Sequence, residues 1–387
     1  MSKNYTHLGT FSDWVAFANT QRDLYPHSPT GSATRAALAH NLGFSRGPEG
    51  PRQVRVERTW VKDGVAGEEL SWSVGYGPRT HAWLLRPEGV CGPLPGVLAL
   101  HDHGGFKFFG KEKIADGPDP VPQVIVDHRN TYYSGRGFAN ALARQGFAVL
   151  VPDTFLWGSR RFPLADMPNA LHDSARAELA MFPPANGGRS DPLTDEVYFY
   201  NKAAGNHEHL VEKYCNLLGT TLAGVVAYED RVAVNYLLSR ADVDPGKIAC
   251  VGLSGGGNRS TLLLATHDAI QAAVIVGLMC TYAALLDHNV LNHTWMFFPS
   301  GWSRIGDWPD IAACRAPLPL LVQYDNEDNL FTLEGMQSAD RRIAGHYAAV
   351  NRPDAYTGQF YPGDHKFDLE MQTAAFAWLS AQLSSAS

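Results

Sequence analysis

From Pro95 onward the chain repeats one pattern: a short, wholly apolar run, then a longer stretch with helical spacing, then another apolar run. The runs fall at residues 96–101, 148–152, 248–253, 272–277, 318–324 and 355–361, with helical segments at 137–145, 220–240, 258–267, 334–349 and 369–383. Strands that are apolar throughout must be covered on both faces, which is the condition of a parallel sheet flanked by helices. Upstream, residues 54–62, 68–76 and 81–86 alternate in the period-2 manner of half-exposed strands, so an antiparallel edge is expected there. The fold class is therefore α/β with a mostly parallel sheet.

Two stretches stand outside the pattern. Residues 1–50 mix a short helical pattern with Pro- and Gly-rich connections and are expected to form an arm packed on a single main domain, 51–387. Residues 154–215 contain no strand-like run, carry many aromatics and include Pro183-Pro184 and Asn186-Gly187-Gly188. A structureless loop of that length is rare in a compact domain, so an inserted cap or lid of short helices is expected.

Composition narrows the class of protein. Apolar residues make up 45% of the 387 and charged ones only 18%, enough for a sizeable core. A formal charge of −7 gives no basic face for nucleic acid or an anionic membrane, so neither partner is expected. The five cysteines are odd in number, widely spaced and free of C-x-x-C, which argues against a disulfide framework; Cys250 and Cys280 read as buried thiols. The first residues lack the apolar core of a signal peptide and no run has the length of a membrane span, so a cytoplasmic location is expected.

The chemistry is written at the ends of the strands. Gly252-Leu253-Ser254-Gly255-Gly256 is a G-x-S-x-G between a strand-like and a helix-like run. A serine hydroxyl becomes a nucleophile when a tight turn holds it out and a base sits beside it. A base and an acid then follow in the order Ser, Asp, His: Asp325-Asn326-Glu327-Asp328 after the strand at 318–324, and Gly363-Asp364-His365 after the strand ending at Tyr361. His365 is the candidate base. Asp328, one turn beyond the strand end, is favoured as the acid over Asp325 and Glu327. An oxyanion hole requires two backbone donors: the N–H of Gly255 is one, and His103 or Gly104 of the loop His101-Asp102-His103-Gly104-Gly105 is the other.

These motifs together, in this order, resemble the α/β-hydrolase superfamily. His103-Gly104-Gly105-Phe106-Lys107, Gly110-Lys111-Glu112-Lys113 and Asp153 with Gly158-Ser159-Arg160-Arg161 are similar to the bacterial branch that holds dienelactone-hydrolase-like proteins and acetyl xylan esterases. The resemblance spans roughly residues 75–380 and implies an eight-stranded sheet, a small or acetylated, carbohydrate-like ester as substrate, and no cofactor or metal. There are departures. Dienelactone hydrolases carry a cysteine where this chain has Ser254, and Asp102 stands where the H-G pattern has glycine. Homo-oligomerisation is left open.

Substrate selection is expected in the walls over the nucleophile. Trp157, Arg160 and Arg161 in the cap are candidates, with the arginines either meeting a polar substrate group or pairing with Asp153 or Asp166, and Trp295 and Trp302 are candidates for the facing wall. Two other function classes compete. His101-Asp102-His103, Asp127-His128 and His207-Glu208-His209 have the composition of metal ligands, which would suit a metal-dependent hydrolase. A non-catalytic binding protein on the same scaffold is the other, since fold does not fix function.

Overall fold

The computed structural model describes residues 4–44, 50–182 and 192–384. Nine strands form one sheet: β1 (Arg52–Lys62), β2 (Val65–Ser73), β3 (Thr80–Pro87), β4 (Leu94–Leu100), β5 (Ala148–Pro152), β6 (Val243–Leu253), β7 (Ile270–Val276), β8 (Leu320–Asp325) and β9 (Tyr356–Tyr361). Their order is β1-β2-β3-β5-β4-β6-β7-β8-β9. The first four in that order pair antiparallel, and the six from β5 to β9 pair parallel. The expected eight strands are thus corrected to nine, because the two-stranded β1–β2 ribbon continues the sheet beyond β3.

Alternation along the parallel strands divides the core in two. Leu98, Leu100, Leu150 and Cys250 face one layer, with helices Ser32–Leu42, Leu222–Leu238, Gly255–Thr266 and Leu333–Ala349. Val97, Ala99, Val149, Val151 and Val251 face the other, with Phe138–Ala143 and Leu369–Ser384. The N-terminal stretch contributes Leu38 and Leu42 to the first layer, while helix Asp13–Gln21 buries nothing. β1 is the outer edge. It is exposed along nearly its whole length, carries Arg52, Arg55, Arg58 and Lys62, and breaks register twice against β2.

Between β5 and helix Leu222–Leu238 the described residues hold no strand. They form short 3₁₀ turns and helices Asn169–Met181 and Pro192–Leu217, the second running two residues past the expected boundary at 215. Pro183-Pro184 and Asn186-Gly187-Gly188 lie outside the described residues. The two helices share a small apolar cluster of their own, with Ala175, Val197 and Tyr200 against Phe108 and Ile125. Among the described residues no helix is long and apolar enough to cross a membrane. All five cysteines are free thiols; Cys91 alone is exposed.

Candidate active site

β6 ends at Leu253 and a helix begins at Gly255, leaving Ser254 alone to turn the chain. Ser254 has φ 57° and ψ −120°, a conformation a residue with a Cβ adopts only under local constraint, at a cost of about 1–3 kcal/mol. The constraint is visible. Ser254 N–H donates to Val276 O on β7 at 2.8 Å, and its carbonyl accepts from Asn258 N at 2.9 Å. The turn also presses against β4: a Cβ on Gly256 would lie 2.0 Å from Leu100 O, and one on Gly252 2.6 Å from the same atom. Only glycine fits at those two positions, which is the physical content of the G-x-S-x-G spacing.

His365 follows β9, and its Nδ1 lies 2.6 Å from Asp328 Oδ2. The other Asp328 oxygen accepts from Leu330 N at 2.8 Å, so both carboxylate oxygens are fixed. Burial alone would lower the His365 pKa, but the bond to Asp328 and the charges of Asp328 and Asp325 outweigh it and raise the value above 6.5. Asp325 has a different setting. It is wholly buried at the end of β8, accepts from Lys366 N at 3.1 Å through one oxygen, and has no partner for the other among the described residues. Burial pushes its pKa up to about 7. Of the three candidate acids, Asp328 is therefore the one that reaches His365.

Ser254 and His365 open into one cleft of about 1010 Å³. No hydrogen bond joins Ser254 Oγ to His365 among the described residues, an arrangement common where a catalytic contact tightens only around substrate. Gly255 and His103 line the cleft with Ser254, and neither backbone N–H has a backbone acceptor among the described residues. The two are in contact, since a Cβ on Gly255 would fall 2.5 Å from His103 N. Gly104, the alternative donor, lines the same cleft. A pair of N–H donors beside a strained serine can stabilise a developing oxyanion.

Asp102, the departure from the H-G pattern, is buried behind this loop and bonded to three groups. Its Oδ1 accepts from Tyr133 Oη at 2.6 Å and faces His128 Nε2 at 3.2 Å, while Oδ2 faces Lys113 Nζ at 3.2 Å. Burial would raise its pKa, but Lys113 and His128 hold it well below the usual carboxylate range. Its neighbour His101 donates Nδ1–H to Asp102 O at 3.0 Å and is kept neutral by burial and by the cations Arg259 and Lys113. Asp102 thus anchors the loop and leaves its main chain toward the cleft.

The substrate-binding expectations need correction. Trp157 is buried against His101 and His103, donates Nε1–H to His103 O at 3.4 Å, and backs the loop without lining the cleft. Arg160 is 2% exposed and forms an ion pair with Glu229 at 2.5 Å; neither Asp153 nor Asp166 is its partner. Arg161 stacks over Phe108 with 4.1 Å to the ring centre and donates to Phe108 O at 3.1 Å. Trp302 is fully buried in the core and Trp295 donates Nε1–H to His209 Nδ1 at 2.8 Å, so neither forms the wall. All five were selected by residue type; four of them instead satisfy partners more than 50 residues away in sequence, and Trp302 donates Nε1–H to Asp307 O at 3.1 Å within its own loop.

The actual walls come from elsewhere. One face of helix Pro192–Leu217 supplies Tyr198, Asn201, Asn206 and His209, and helix Gln123–Tyr132, absent from the sequence-based reading, supplies His128 and Tyr132. His293 closes the acid side. It donates Nε2–H to Leu330 O at 2.9 Å, packs on Phe331, and burial pushes its pKa down to about 4. The sequence signal for these residues was only the helical spacing of 198, 201/202, 205/206 and 209.

The ligand-like clusters of the sequence meet only in pairs among the described residues, Asp102 with His128 and His103 with Glu208. Among the described residues two groups of three bring ligand atoms together: His27, Asp310 and His346, and the Asp325, Asp328 and His365 group itself. In the first, both Asp310 oxygens are taken by Arg342 at 2.7 Å. Glu208, from the third sequence cluster, is spent on Lys107.

No family model matches the chain. The Bacillus subtilis (strain 168) protein named Putative hydrolase YtaP is 24% identical over 285 residues, 72% of this chain and 75% of its own. Among solved structures, a putative acetyl xylan esterase from Bacteroides fragilis NCTC 9343 superposes with TM-score 0.62 at 16% identity, covering 85% of this chain and 73% of that one. A glucuronoyl esterase from Solibacter usitatus superposes with TM-score 0.60 at 12% identity, covering 90% and 91%. With the sheet order, the strained serine after β6 and the histidine after the last strand, these likenesses agree on one architecture: the chain has the α/β-hydrolase fold.

Proposed function

We propose that this protein is a serine carboxylic-ester hydrolase acting through an acyl-enzyme on a carbohydrate ester. The observation that carries the reading is Ser254 at φ 57° in one cleft with a histidine whose Nδ1 is bonded to a buried carboxylate at 2.6 Å. In this reading Asp328 accepts the Nδ1–H of His365 and so leaves Nε2 free to take the Ser254 proton. Ser254 Oγ adds to the ester carbonyl, and the oxyanion lies against the N–H groups of Gly255 and His103. His365 then protonates the departing alcohol, and the same groups activate water against the acyl-serine.

The carbohydrate part rests on the names of the superposing structures, among them acetyl xylan and glucuronoyl esterases, and on a cleft wide enough for a glycosyl group. The test is hydrolysis of p-nitrophenyl acetate, an acetylated xylo-oligosaccharide and a methyl glucuronate ester by the parent and by Ser254→Ala. Ser254→Ala is expected to lose about 10⁴-fold or more in kcat. Retention of a tenth of the parent rate, or a parent inert to all three esters, would refute the reading.

A further inference from the structure

Glu208 is a carboxylate buried to 4% exposure in the middle of helix Pro192–Leu217, yet it meets four polar groups from two other segments. Oε2 faces His103 Nε2 at 2.9 Å and pairs with Lys107 Nζ. Oε1 accepts from Thr294 Oγ1 at 2.7 Å and from Trp295 N at 3.0 Å. Burial would raise its pKa, but Lys107 and His103 reverse this and hold it well below the carboxylate range. The residue therefore carries a charge in the interior with every lone pair in use.

The contact with His103 has a directional consequence. Gly105 N–H donates to His103 Nδ1 at 3.0 Å, so Nδ1 is an acceptor and the ring proton sits on Nε2, pointing at Glu208. The imidazole is clamped between its own loop and the helix. Its main chain is held as well: His103 O accepts from Phe106 N at 3.0 Å and from Lys113 Nζ at 3.3 Å. The backbone N–H of that same residue abuts Gly255. Immediately beyond, the loop passes through Gly104 and Gly105 at φ +58° and +61°, where the backbone itself offers little resistance to rotation.

We infer that Glu208 is a positioning residue for the oxyanion hole: through the His103 ring it fixes the direction of the His103 N–H and couples that donor to the helical wall of the cleft. This inference rests on the esterase reading above. Losing a single oxyanion donor costs about 10²–10³ in kcat, and a misaimed donor loses a share of that. Because the ground-state carbonyl depends little on the hole, the loss falls on kcat and leaves KM nearly unchanged.

The test removes the ionic part first, since Glu208→Leu alone would strand the Lys107 ammonium. In Lys107→Met/Glu208→Leu the kcat for p-nitrophenyl acetate is expected to fall about 10–100-fold with KM within about threefold, and affinity for a trifluoromethyl ketone, which mimics the tetrahedral adduct, to fall in parallel. Lys107→Met/Glu208→Gln, whose amide oxygen can accept from His103 Nε2 while its NH₂ turns to Thr294 Oγ1 and leaves Trp295 N–H unpaired, should recover part of that loss. His103→Ala reads the same link without disturbing the Glu208–Lys107 pair, and should lower kcat to a similar extent; it serves if the leucine variant does not fold. A role confined to holding the helix would show as a lower Tm with kcat intact, and that result overturns the inference, as does a Gln variant no better than Leu. If instead Ser254→Ala remains active, it is the esterase reading that fails; if Ser254→Ala is inactive while His103→Ala and the folded Leu variant turn over like the parent, only the role of Glu208 fails.

Discussion

Asp328→Asn removes one charge and almost no volume, and the two contacts of this carboxylate determine its effect. Oδ1 accepts from Leu330 N at 2.8 Å and Oδ2 meets His365 Nδ1 at 2.6 Å. An asparagine has one acceptor for these two sites. If its oxygen stays with Leu330 N–H, the NH₂ faces Nδ1, and the ring must carry its proton on Nε2, the atom required to accept from Ser254. If the amide is reversed, the NH₂ opposes Leu330 N–H, leaving a half-buried donor unpaired at about 1–3 kcal/mol. The reversed form also lacks the charge that stabilises the imidazolium. A fall in kcat/KM of about 10³- to 10⁴-fold is expected, or about 4–5.5 kcal/mol at 1.36 kcal/mol per tenfold. The assay is initial-rate hydrolysis of p-nitrophenyl acetate on the alkaline plateau, with circular dichroism to verify folding. A loss under about tenfold, or a larger loss in Asp325→Asn, would refute the assignment of the acid.

Two further outcomes follow from the same corner of the site. Since His365 must be neutral to act as base and its pKa is raised by Asp328, kcat/KM should climb with pH through an inflection above 6.5 and level off beyond it; a flat profile from about pH 5 to 9 with chemistry rate-limiting would count against a histidine base. Asp325, with a pKa pushed from 3.8 to about 7 by burial, favours the native state below about pH 4 and loses that contribution as pH rises toward 7, on the order of 4 kcal/mol in all. Asp325→Asn does not titrate, so urea denaturation should show its stability relative to the parent increasing from pH 4 to pH 8, and a difference that stays constant would show that the carboxyl is not held protonated.

What the sequence revealed and what it hid divide along a physical line. The strands and the Ser254 turn were legible because their causes are local: apolar runs with period 2, and glycines that a Cβ at 2.0–2.6 Å from Leu100 O would exclude. The preference for Asp328 rested on one turn of loop geometry. The cleft walls were not legible, because a charged or aromatic side chain looks the same in sequence whether it meets solvent, substrate or a buried partner. Arg160 is separated from Glu229 by 69 residues, and Glu208 from His103 by 105, and only the fold brings them together. Helix Gln123–Tyr132 opens with the β-branched run Val124-Ile125-Val126, which weakens its helical signal, and tertiary packing of Val124 and Ile125 prevails. The β1–β2 ribbon raised the strand count by continuing an expected edge.

That ribbon also bears on how copies of the protein meet. The outer side of β1 presents main-chain donors and acceptors that another strand can complete, the route by which sheets elongate between molecules. Here Arg52, Arg55 and Lys62 place three cations along the edge, while Arg58 is already paired with Glu69 and Asp119, and the two breaks in register at Arg52/Arg55 and Val56/Arg58 spoil the straight ladder such pairing needs. The exposed valines of the same strand, Val54, Val56 and Val61, are thereby kept from acting as an adhesive seam. Intermolecular sheet extension is opposed at this margin, and self-association is directed toward the helical layers or the far margin at β9.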